Sequence, residues 1–203
     1  MAAAKVYRLS FSILDKVRLG YIDEAINMFN RVRLPATPAM ELGKKYHALW
    51  EKQILATGKI PEMLGGQELT DGWTVEKKLV KRFKLGDNIV EFVGVYDNYE
   101  PNAVDMPTLR DWKLSTSSAT VYTGSYQHSV YKVLVPEAEL FEYRVKHPFI
   151  DQLTVARIHL TPEQRERGIE FIRTYASEFI QQYEWYLQDN QRRDNGTFNS
   201  IDL

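Results

Sequence analysis

The sequence predicts an α/β fold in which a mixed central β-sheet of about five strands is flanked by α-helices. Apolar residues recur at helical spacing near both ends of the chain, whereas the middle alternates apolar and polar residues as a β-strand does. The predicted order is helix, helix, three strands, helix, two strands and helix. With 203 residues, 44% of them hydrophobic, the chain can bury one core, and residues 1–203 are predicted to form a single domain.

Two helices are predicted near the amino end. The first spans Phe11 to about Arg31, with Ser10 or Ser12 as a candidate N-cap, because apolar residues recur there every three or four positions. The second runs from Ala39 to Thr57 and ends at Gly58, since glycine readily adopts the left-handed conformation of a helix end. We expect each helix to pack on a core with its apolar face.

The strands and the remaining helices follow from a change in period. Residues 73–99 predict two strands joined at the turn Gly86-Asp87-Asn88, and Thr108–Leu114 predicts a third. The later elements are a helix at Ser117–Val135, strands at Leu140–Val145 and Thr154–Leu160, and a helix that opens with a Thr161–Gln164 capping box. The polar segment 189–203 is predicted to be a flexible tail.

The composition excludes several kinds of site. There are no cysteines, which rules out disulfides, cysteine nucleophiles, thiolate zinc sites and cysteine-bound iron–sulfur clusters. The formal net charge is −1, so nucleic-acid binding would need a local basic patch or bound metal ions. No apolar window approaches the ~18 residues that span a bilayer, so we expect a soluble, cytoplasmic protein with no membrane contact.

The second predicted helix carries Gly43, His47 and Glu51 at intervals of four residues. This spacing puts them on one helix face, next to the apolar residues Tyr46 and Trp50. A histidine beside an apolar face is a metal ligand in some proteins and a packed structural residue in others. The spacing by itself leaves both possibilities open.

Two neighbouring predicted strands bring acidic residues together. Asp97 ends the stretch Gly94–Asp97, and Asp111 and Lys113 leave one face of the next strand while Trp112 between them points the other way. Carboxylates that meet at one point favour Mg²⁺ or Mn²⁺, and the lysine could orient a water or stabilise developing charge. The alternative is a solvated cross-strand ion pair.

A third motif lies on the helix after these strands. Gln127 and Tyr131 are four residues apart and face one way, so their amide and phenol groups could contact a nucleic-acid backbone or base edge. Tyr131 could equally be a core residue.

Two clusters of basic residues could follow a phosphate backbone or be solvated faces, given the glutamates between them. One cluster contains Lys77, Lys78, Lys81, Arg82 and Lys84, and the other contains Arg165, Arg167 and Arg173.

Taken together in chain order, these motifs resemble the RecB-type branch of the PD-(D/E)XK nuclease superfamily, from about Leu9 to the final helix. The resemblance implies a restriction-endonuclease-like core whose sheet binds Mg²⁺ or Mn²⁺. It implies catalytic or supporting roles for Asp97, Asp111, Lys113, Gln127 and Tyr131. It implies metal ligation by His47, Asp97, Asp111, the Trp112 backbone carbonyl and, more loosely, Glu51.

The resemblance implies a metal-dependent deoxyribonuclease, an exonuclease on DNA ends or single strands in recombination, repair or replication. Several relatives enclose the site with a four-cysteine iron–sulfur cluster, which this chain cannot form. It also lacks a P-loop, so we expect a stand-alone nuclease, a homo-oligomer, or a subunit that borrows the motor of a helicase or recombination partner. A non-catalytic nucleic-acid-binding or assembly subunit and an unrelated metal-dependent hydrolase are the alternatives.

Overall fold

The structure, a computed structural model, describes residues 4–32 and 35–194. Within these residues it contains a mixed sheet of six strands flanked by helices, which confirms the predicted fold class. In chain order the elements are β1 (Val6–Ser10), α1 (Phe11–Arg18), α2 (Ile22–Phe29), α3 (Pro38–Thr57), β2 (Thr74–Leu85), β3 (Asn88–Glu100), β4 (Thr108–Leu114), α4 (Gln127–Leu134), β5 (Leu140–Lys146), β6 (Leu153–His159) and α5 (Pro162–Asp194).

The strand order in the sheet is β1-β3-β4-β5-β6, and β2 pairs with β3. β3 and β4 are antiparallel, β4 and β5 are parallel, and β5 and β6 are antiparallel. The parallel pair needs a crossover between its strands, and α4 lies in that crossover.

The described chain forms two compact units. One comprises residues 1–33, 82–92 and 172–203, as far as they are described, and the other comprises residues 34–81 and 93–171. β2, β3 and α5 each contribute to both units. The second unit contains α3, β4, α4, β5 and β6, and every candidate site residue discussed below lies in it. The single-domain assignment stays a prediction.

In the second unit, helices lie on opposite faces of the sheet. On one face, Trp112 of β4 packs with Trp50 and Ile54 of α3, and all three side chains are fully buried. On the other face, α4 contacts the sheet through Tyr131, whose ring centroid lies 5.8 Å from that of Phe141. The alternation of β4 therefore assigns each of its side chains to α3 or to α4.

A buried ion network ties three strands of this unit together. The Arg110 guanidinium on β4 donates to Glu100 on β3 at 2.7 Å and to Glu142 on β5 at 2.9 Å. All three side chains are almost completely buried. Removing one partner would leave an uncompensated buried charge, so the network favours this strand register over its alternatives.

The first predicted helix is in fact two helices, α1 and α2. Gly20 has a φ of 81°, which a continuing right-handed helix does not allow. The Tyr21 N–H donates to the Lys16 carbonyl and the Gly20 N–H to the Val17 carbonyl, the pattern of a Schellman helix end. The prediction of one helix to Arg31 was wrong because the apolar stripe continues on both sides of this break.

The predicted helix at Ser117–Val135 was also too long. Residues Ala119–Gly124 form a 3₁₀ turn, Ser125 is extended, and the α-helix begins only at Gln127. Strand β1 (Val6–Ser10) was not predicted, because the short stretch before α1 carries too few residues to show a period of two. The predictions for α3, for β4 and for the β2–β3 turn are confirmed within one residue at each end.

The last helix begins as predicted, although only half of the capping box forms. The Gln164 N–H donates to Thr161 Oγ1 at 3.3 Å, whereas the Gln164 side chain accepts a hydrogen bond from Ser129 of α4 at 2.6 Å. The helix extends through Asp194, into the segment predicted to be a flexible tail, and residues 195–203 lie outside the described part of the chain. Among the helices of residues 4–32 and 35–194, none is long and apolar enough to cross a membrane.

Gly168 allows α5 to approach α4 closely. A Cβ atom added at Gly168 would overlap the Ser129 backbone carbonyl. We predict that Gly168→Ala lowers the free energy of unfolding by about 1–3 kcal/mol, since the strain of overpacking outweighs the better helix propensity of alanine. Urea denaturation would measure the change.

Gly43→Ala in α3 is the matched control for this prediction. A Cβ atom there would meet no atom within 4 Å, so the same substitution should stabilise the protein by up to about 1 kcal/mol. Equal stabilisation by both substitutions would contradict the close packing of α4 and α5.

Candidate active site

The candidate site lies where β3 and β4 stop pairing. Their ladder runs from Glu100 opposite Thr108 to Asn98 opposite Arg110. Beyond this last pair, the N–H of Trp112, two residues after Arg110, donates to the carboxylate of Asp97, the residue before Asn98, with 2.6 Å from N to Oδ2. A side-chain carboxylate thus takes the place of a backbone acceptor, and this contact fixes the position of Asp97.

Asp111 and Lys113 share the face of β4 opposite to Trp112, as the sequence predicted. Trp112 is fully buried and its ring meets Trp50 edge-to-face, with 6.4 Å between ring centroids. The Lys113 Nζ lies 2.8 Å from Asp111 Oδ2. The pair is not the solvated surface contact that was the alternative, because Asp111 is buried and Lys113 is partly buried.

The two carboxylate oxygens of Asp111 have different surroundings. Oδ1 accepts hydrogen bonds from the Gln127 amide at 2.7 Å and from Lys113 at 3.0 Å. Oδ2 is close to Lys113 but receives no well-directed hydrogen bond from any described residue. Gln127 therefore orients the carboxylate, and Oδ2 keeps lone pairs for a further partner.

His47 reaches this site from α3. Its Nδ1 lies 3.6 Å from Asp97 Oδ1, and its ring centroid lies 5.3 Å from that of Trp50. Burial, followed by the charge of Lys113, lowers the pKa of His47 below 6.5. The imidazole is therefore neutral at pH 7, which is the form that binds metal ions.

Glu76 on β2 belongs to the site, although sequence reasoning missed it. Ligand atoms of His47, Glu76 and Asp97 lie within 4.8 Å of one another, a geometry that could hold a metal ion. The φ of Glu76 is 48°, a left-handed conformation that costs energy for a residue other than glycine. Such strain is more often found at functional sites than elsewhere.

In the sequence, Glu76 counted only as one of the glutamates interspersed with the basic clusters, whose role was left open. A residue with a left-handed backbone interrupts the alternation of a strand, so that the side chains after it point to the opposite face of the sheet from the one expected. The pattern of apolar and polar residues does not reveal such a backbone conformation directly. The sequence offered one signal of this change in alternation, the consecutive lysines Lys77 and Lys78, which break the period of two. In the structure both lysines are exposed. These two lysines directly follow Glu76, so the first basic cluster begins beside the candidate site.

The other predicted site residues have more peripheral positions. Glu51 lines the same cleft from α3 but lies outside the group formed by His47, Glu76 and Asp97. Tyr131 is buried, and its hydroxyl donates to the Val95 carbonyl on β3. Tyr131 therefore supports the strand that carries Asp97, and a direct contact with DNA stays a prediction, as does ligation by the Trp112 carbonyl.

The site concentrates negative charge. Burial, followed by the charge of Asp111, raises the pKa of Asp97 well above its ordinary value of 3.8. Burial also raises the pKa of Glu76, and the charges of Glu51 and Asp111 add to the effect. Burial alone would lower the pKa of Lys113, but Asp111 and Asp97 outweigh it and raise that pKa.

This set of donors fits a hard divalent cation. Carboxylate oxygens with one imidazole nitrogen suit Mg²⁺ and Mn²⁺, with the nitrogen favouring Mn²⁺. Burial first, and neighbouring carboxylates second, raise the pKa of Asp97 and Glu76, and a bound cation would offset both penalties on the charged forms. A cleft of about 570 Å³ gives access to these residues between α3 and the strands β2, β3 and β4.

Comparison with solved structures finds the same fold in proteins of very different sequence. The crystal structure of SSO0001 superimposes with a TM-score of 0.56 at 14% identity, over 89% of this chain and 78% of that chain. The alkaline exonuclease LHK-Exo from Laribacter hongkongensis gives a TM-score of 0.54 at 13% identity, over 91% of this chain and 94% of that chain.

Neither family models nor curated protein sequences give a match to the chain. At 13–14% identity, the structural likeness shows the fold that this chain shares with an exonuclease. The chemistry of the site has to be argued from its own residues.

The raised pKa of Asp97 predicts a pH dependence for the metal-free protein. A folded-state pKa above the ordinary value of 3.8 means that the protonated form is favoured on folding. The contribution of protonated Asp97 to the free energy of unfolding is fully present below pH 3.8 and is lost as pH rises through the folded-state pKa. Asp97→Asn does not titrate and can keep the hydrogen bond from Trp112 through its amide oxygen.

We predict that the variant gains stability relative to the wild type as pH rises from 4 to 8. Urea denaturation of both proteins in EDTA across this range would measure the difference in the free energy of unfolding. A difference that stays constant with pH would contradict a raised Asp97 pKa.

Proposed function

We propose that the chain is a divalent-metal-dependent deoxyribonuclease that hydrolyses phosphodiester bonds, with Mg²⁺ or Mn²⁺ as its cofactor. The observation that carries the proposal is the convergence of His47, Glu76 and Asp97 within 4.8 Å, next to the Asp111–Lys113 pair. The shared fold with an alkaline exonuclease supports the same reaction class and favours action on DNA ends.

A bare carboxylate site would repel a phosphodiester, since both are anionic. A divalent cation bound by His47, Glu76 and Asp97, with Asp111 through Oδ2, would offset this repulsion, polarise the phosphate and lower the pKa of an attacking water. Asp97 can act as a metal ligand because its Oδ2 accepts the hydrogen bond from the Trp112 N–H, whereas its Oδ1 faces His47. Glu51 and the Trp112 carbonyl remain additional candidates.

Lys113 supplies the fixed positive charge of the mechanism. Its raised pKa keeps the amine protonated at pH 7, and Asp111 holds it at 2.8 Å. An ammonium in this position can orient the attacking water or stabilise the charge that develops on the phosphate. Gln127 supports this arrangement by orienting Asp111, and Tyr131 supports it through β3.

The finer assignment is a RecB-type member of the PD-(D/E)XK superfamily that acts as an exonuclease in recombination, repair or replication. The order and contacts of His47, Asp97, Asp111, Lys113 and Gln127 support it. DNA is the proposed partner, and a homo-oligomer or a helicase partner would supply the processivity that a chain without a P-loop lacks. The intact Asp111–Lys113 pair argues against a purely non-catalytic subunit.

The first test uses labelled DNA and a ligand variant. Wild-type protein with Mg²⁺ or Mn²⁺ should degrade linear or single-stranded DNA labelled at one end, leave closed circular duplex intact and be inactive in EDTA. Asp111→Ala should abolish cleavage while the protein stays folded by circular dichroism. Wild-type activity in this variant would contradict the site assignment.

Lys113→Ala should separate chemistry from metal binding. The substitution removes stabilisation of the transition state rather than a ligand, so kcat should fall by a factor on the order of 10² or more. Metal affinity measured by calorimetry should change little. Complete loss of metal affinity would assign Lys113 to the structure of the site instead.

Titration of Mn²⁺ into His47→Ala and Glu76→Gln tests the two ligands that come from outside β3 and β4. Each variant should bind Mn²⁺ more weakly than wild type, and melting in EDTA should show that Glu76→Gln is at least as stable, because like-charge repulsion is relieved. Lys45→Ala, exposed on α3, is the control. If His47→Ala lowers only the metal-free melting temperature, the histidine is a packing residue.

A further inference from the structure

We propose that Gly43 and Lys44 of α3 form a seat for a backbone phosphate of the bound nucleic-acid strand, beside the metal-binding residues. The inference rests on the proposed function, because it assumes a nucleic-acid substrate. It adds a substrate contact that neither the metal site nor the Lys113 mechanism requires. Gly43, Lys44 and His47 line one cleft, and Gly43 lies four residues, about one helical turn and about 6 Å along the axis, from His47.

Neither the packing nor the backbone conformation of the protein requires a glycine at position 43. Glycine in a helix interior is unfavourable relative to alanine, yet Gly43 lies well inside α3 (Pro38–Thr57). A Cβ atom at this position would meet no atom within 4 Å, and the backbone is not left-handed. Neither packing nor conformation therefore explains the residue. A ligand that approaches the helix backbone from the cleft would explain the glycine, because a side chain there would block the approach.

The other described glycine inside an α-helix of this unit shows the contrast. Gly168 in α5 faces the Ser129 carbonyl so closely that a Cβ atom would overlap it. Internal packing accounts for that glycine, whereas Gly43 faces open space. Since the cleft beside Gly43 leads to the metal-binding residues, the open space lies on the path that a substrate would take.

Lys44 supplies the charge that a phosphate needs. Its Nζ lies 3.1 Å from Glu41, and both side chains are largely exposed, at 66% and 61%. Exposed pairs of this kind contribute little to stability, so Lys44 can exchange Glu41 for a phosphate without disturbing the fold. Lys113, which also lines the cleft, is held by Asp111 instead.

The position fits a phosphate next to the scissile one. The scissile phosphate has to lie between Lys113 and the group formed by His47, Glu76 and Asp97, where the reaction is proposed to occur. A seat one helical turn from His47 is beyond that point along α3, so it would hold the adjoining phosphate. Such a contact would position the strand and carry no sequence preference.

Binding of a fluorescent single-stranded oligonucleotide tests the seat. Ca²⁺ replaces Mg²⁺ to occupy the oxygen ligands, and a gel checks that the oligonucleotide stays intact. Lys44→Ala should weaken binding and reduce the slope of log K against log salt concentration by about 0.7, the value for one phosphate contact on a single strand. Lys45→Ala is the matched control, since Lys45 is exposed on α3 but does not belong to the proposed seat.

Gly43→Ala gives an independent test with two readouts. The melting temperature should rise, because the added methyl group meets open space and favours the helix. Oligonucleotide binding should weaken and KM should rise, because the methyl group occupies the phosphate seat. A glycine that the fold itself requires would instead lower the melting temperature when replaced, and that result would overturn the inference.

The outcomes separate this inference from the proposed function. If wild-type protein neither binds nor cleaves nucleic acid with divalent cations, the proposed function fails and the seat fails with it. If wild-type protein cleaves DNA, but Lys44→Ala behaves as Lys45→Ala and Gly43→Ala binds as wild type, only the seat is overturned. Weaker binding by both Gly43→Ala and Lys44→Ala, with Lys45→Ala unchanged, supports it.

Discussion

The candidate site depends on one hydrogen bond, from the Trp112 N–H to the Asp97 carboxylate. In a continuous antiparallel ladder this N–H would donate to a backbone carbonyl of β3. The carboxylate takes the place of that carbonyl where the backbone pairing of the two strands ends, at Asn98 and Arg110, and its other oxygen lies 3.6 Å from His47 of α3. The same bond satisfies a buried donor that would otherwise destabilise the sheet. The same hydrogen bond therefore fixes both the position of the Asp97 carboxylate in the candidate site and the end of the pairing between β3 and β4.

The Trp112 side chain makes this arrangement rigid. Its ring is fully buried against Trp50, so β4 cannot rotate without exposing a large apolar surface. The alternation of the strand then forces Asp111 and Lys113 onto the opposite face, where Gln127 holds the carboxylate. A functional group set on a packed strand is positioned more accurately than one on a loop. The core on one face thus supports the candidate site on the other.

Much of this site follows from periodicity, and the rest depends on backbone conformation. The period of two in Thr108–Leu114 predicts the faces of β4, and the four-residue spacing in α3 predicts the common face of Gly43, His47 and Glu51. Glu76 could not be predicted in this way, because its left-handed φ breaks the alternation at that residue. The division into α1 and α2 has the same cause, since Gly20 also adopts a left-handed φ.

Several residues of the candidate site carry an energetic cost that the fold accepts, whether the sequence predicted them or not. Glu76 is strained and its charge is poorly compensated, and Asp97 is buried with a raised pKa. The electrostatic costs at Glu76 and Asp97 fall when positive charge enters the cleft, so we expect the protein without a ligand to be less stable than the same fold with neutral side chains there. Gly43 is a third such case, because its helix is weakened with no compensating internal contact. The three costs occur around one cleft, which is the arrangement expected if a cation and an anionic strand together compensate for them.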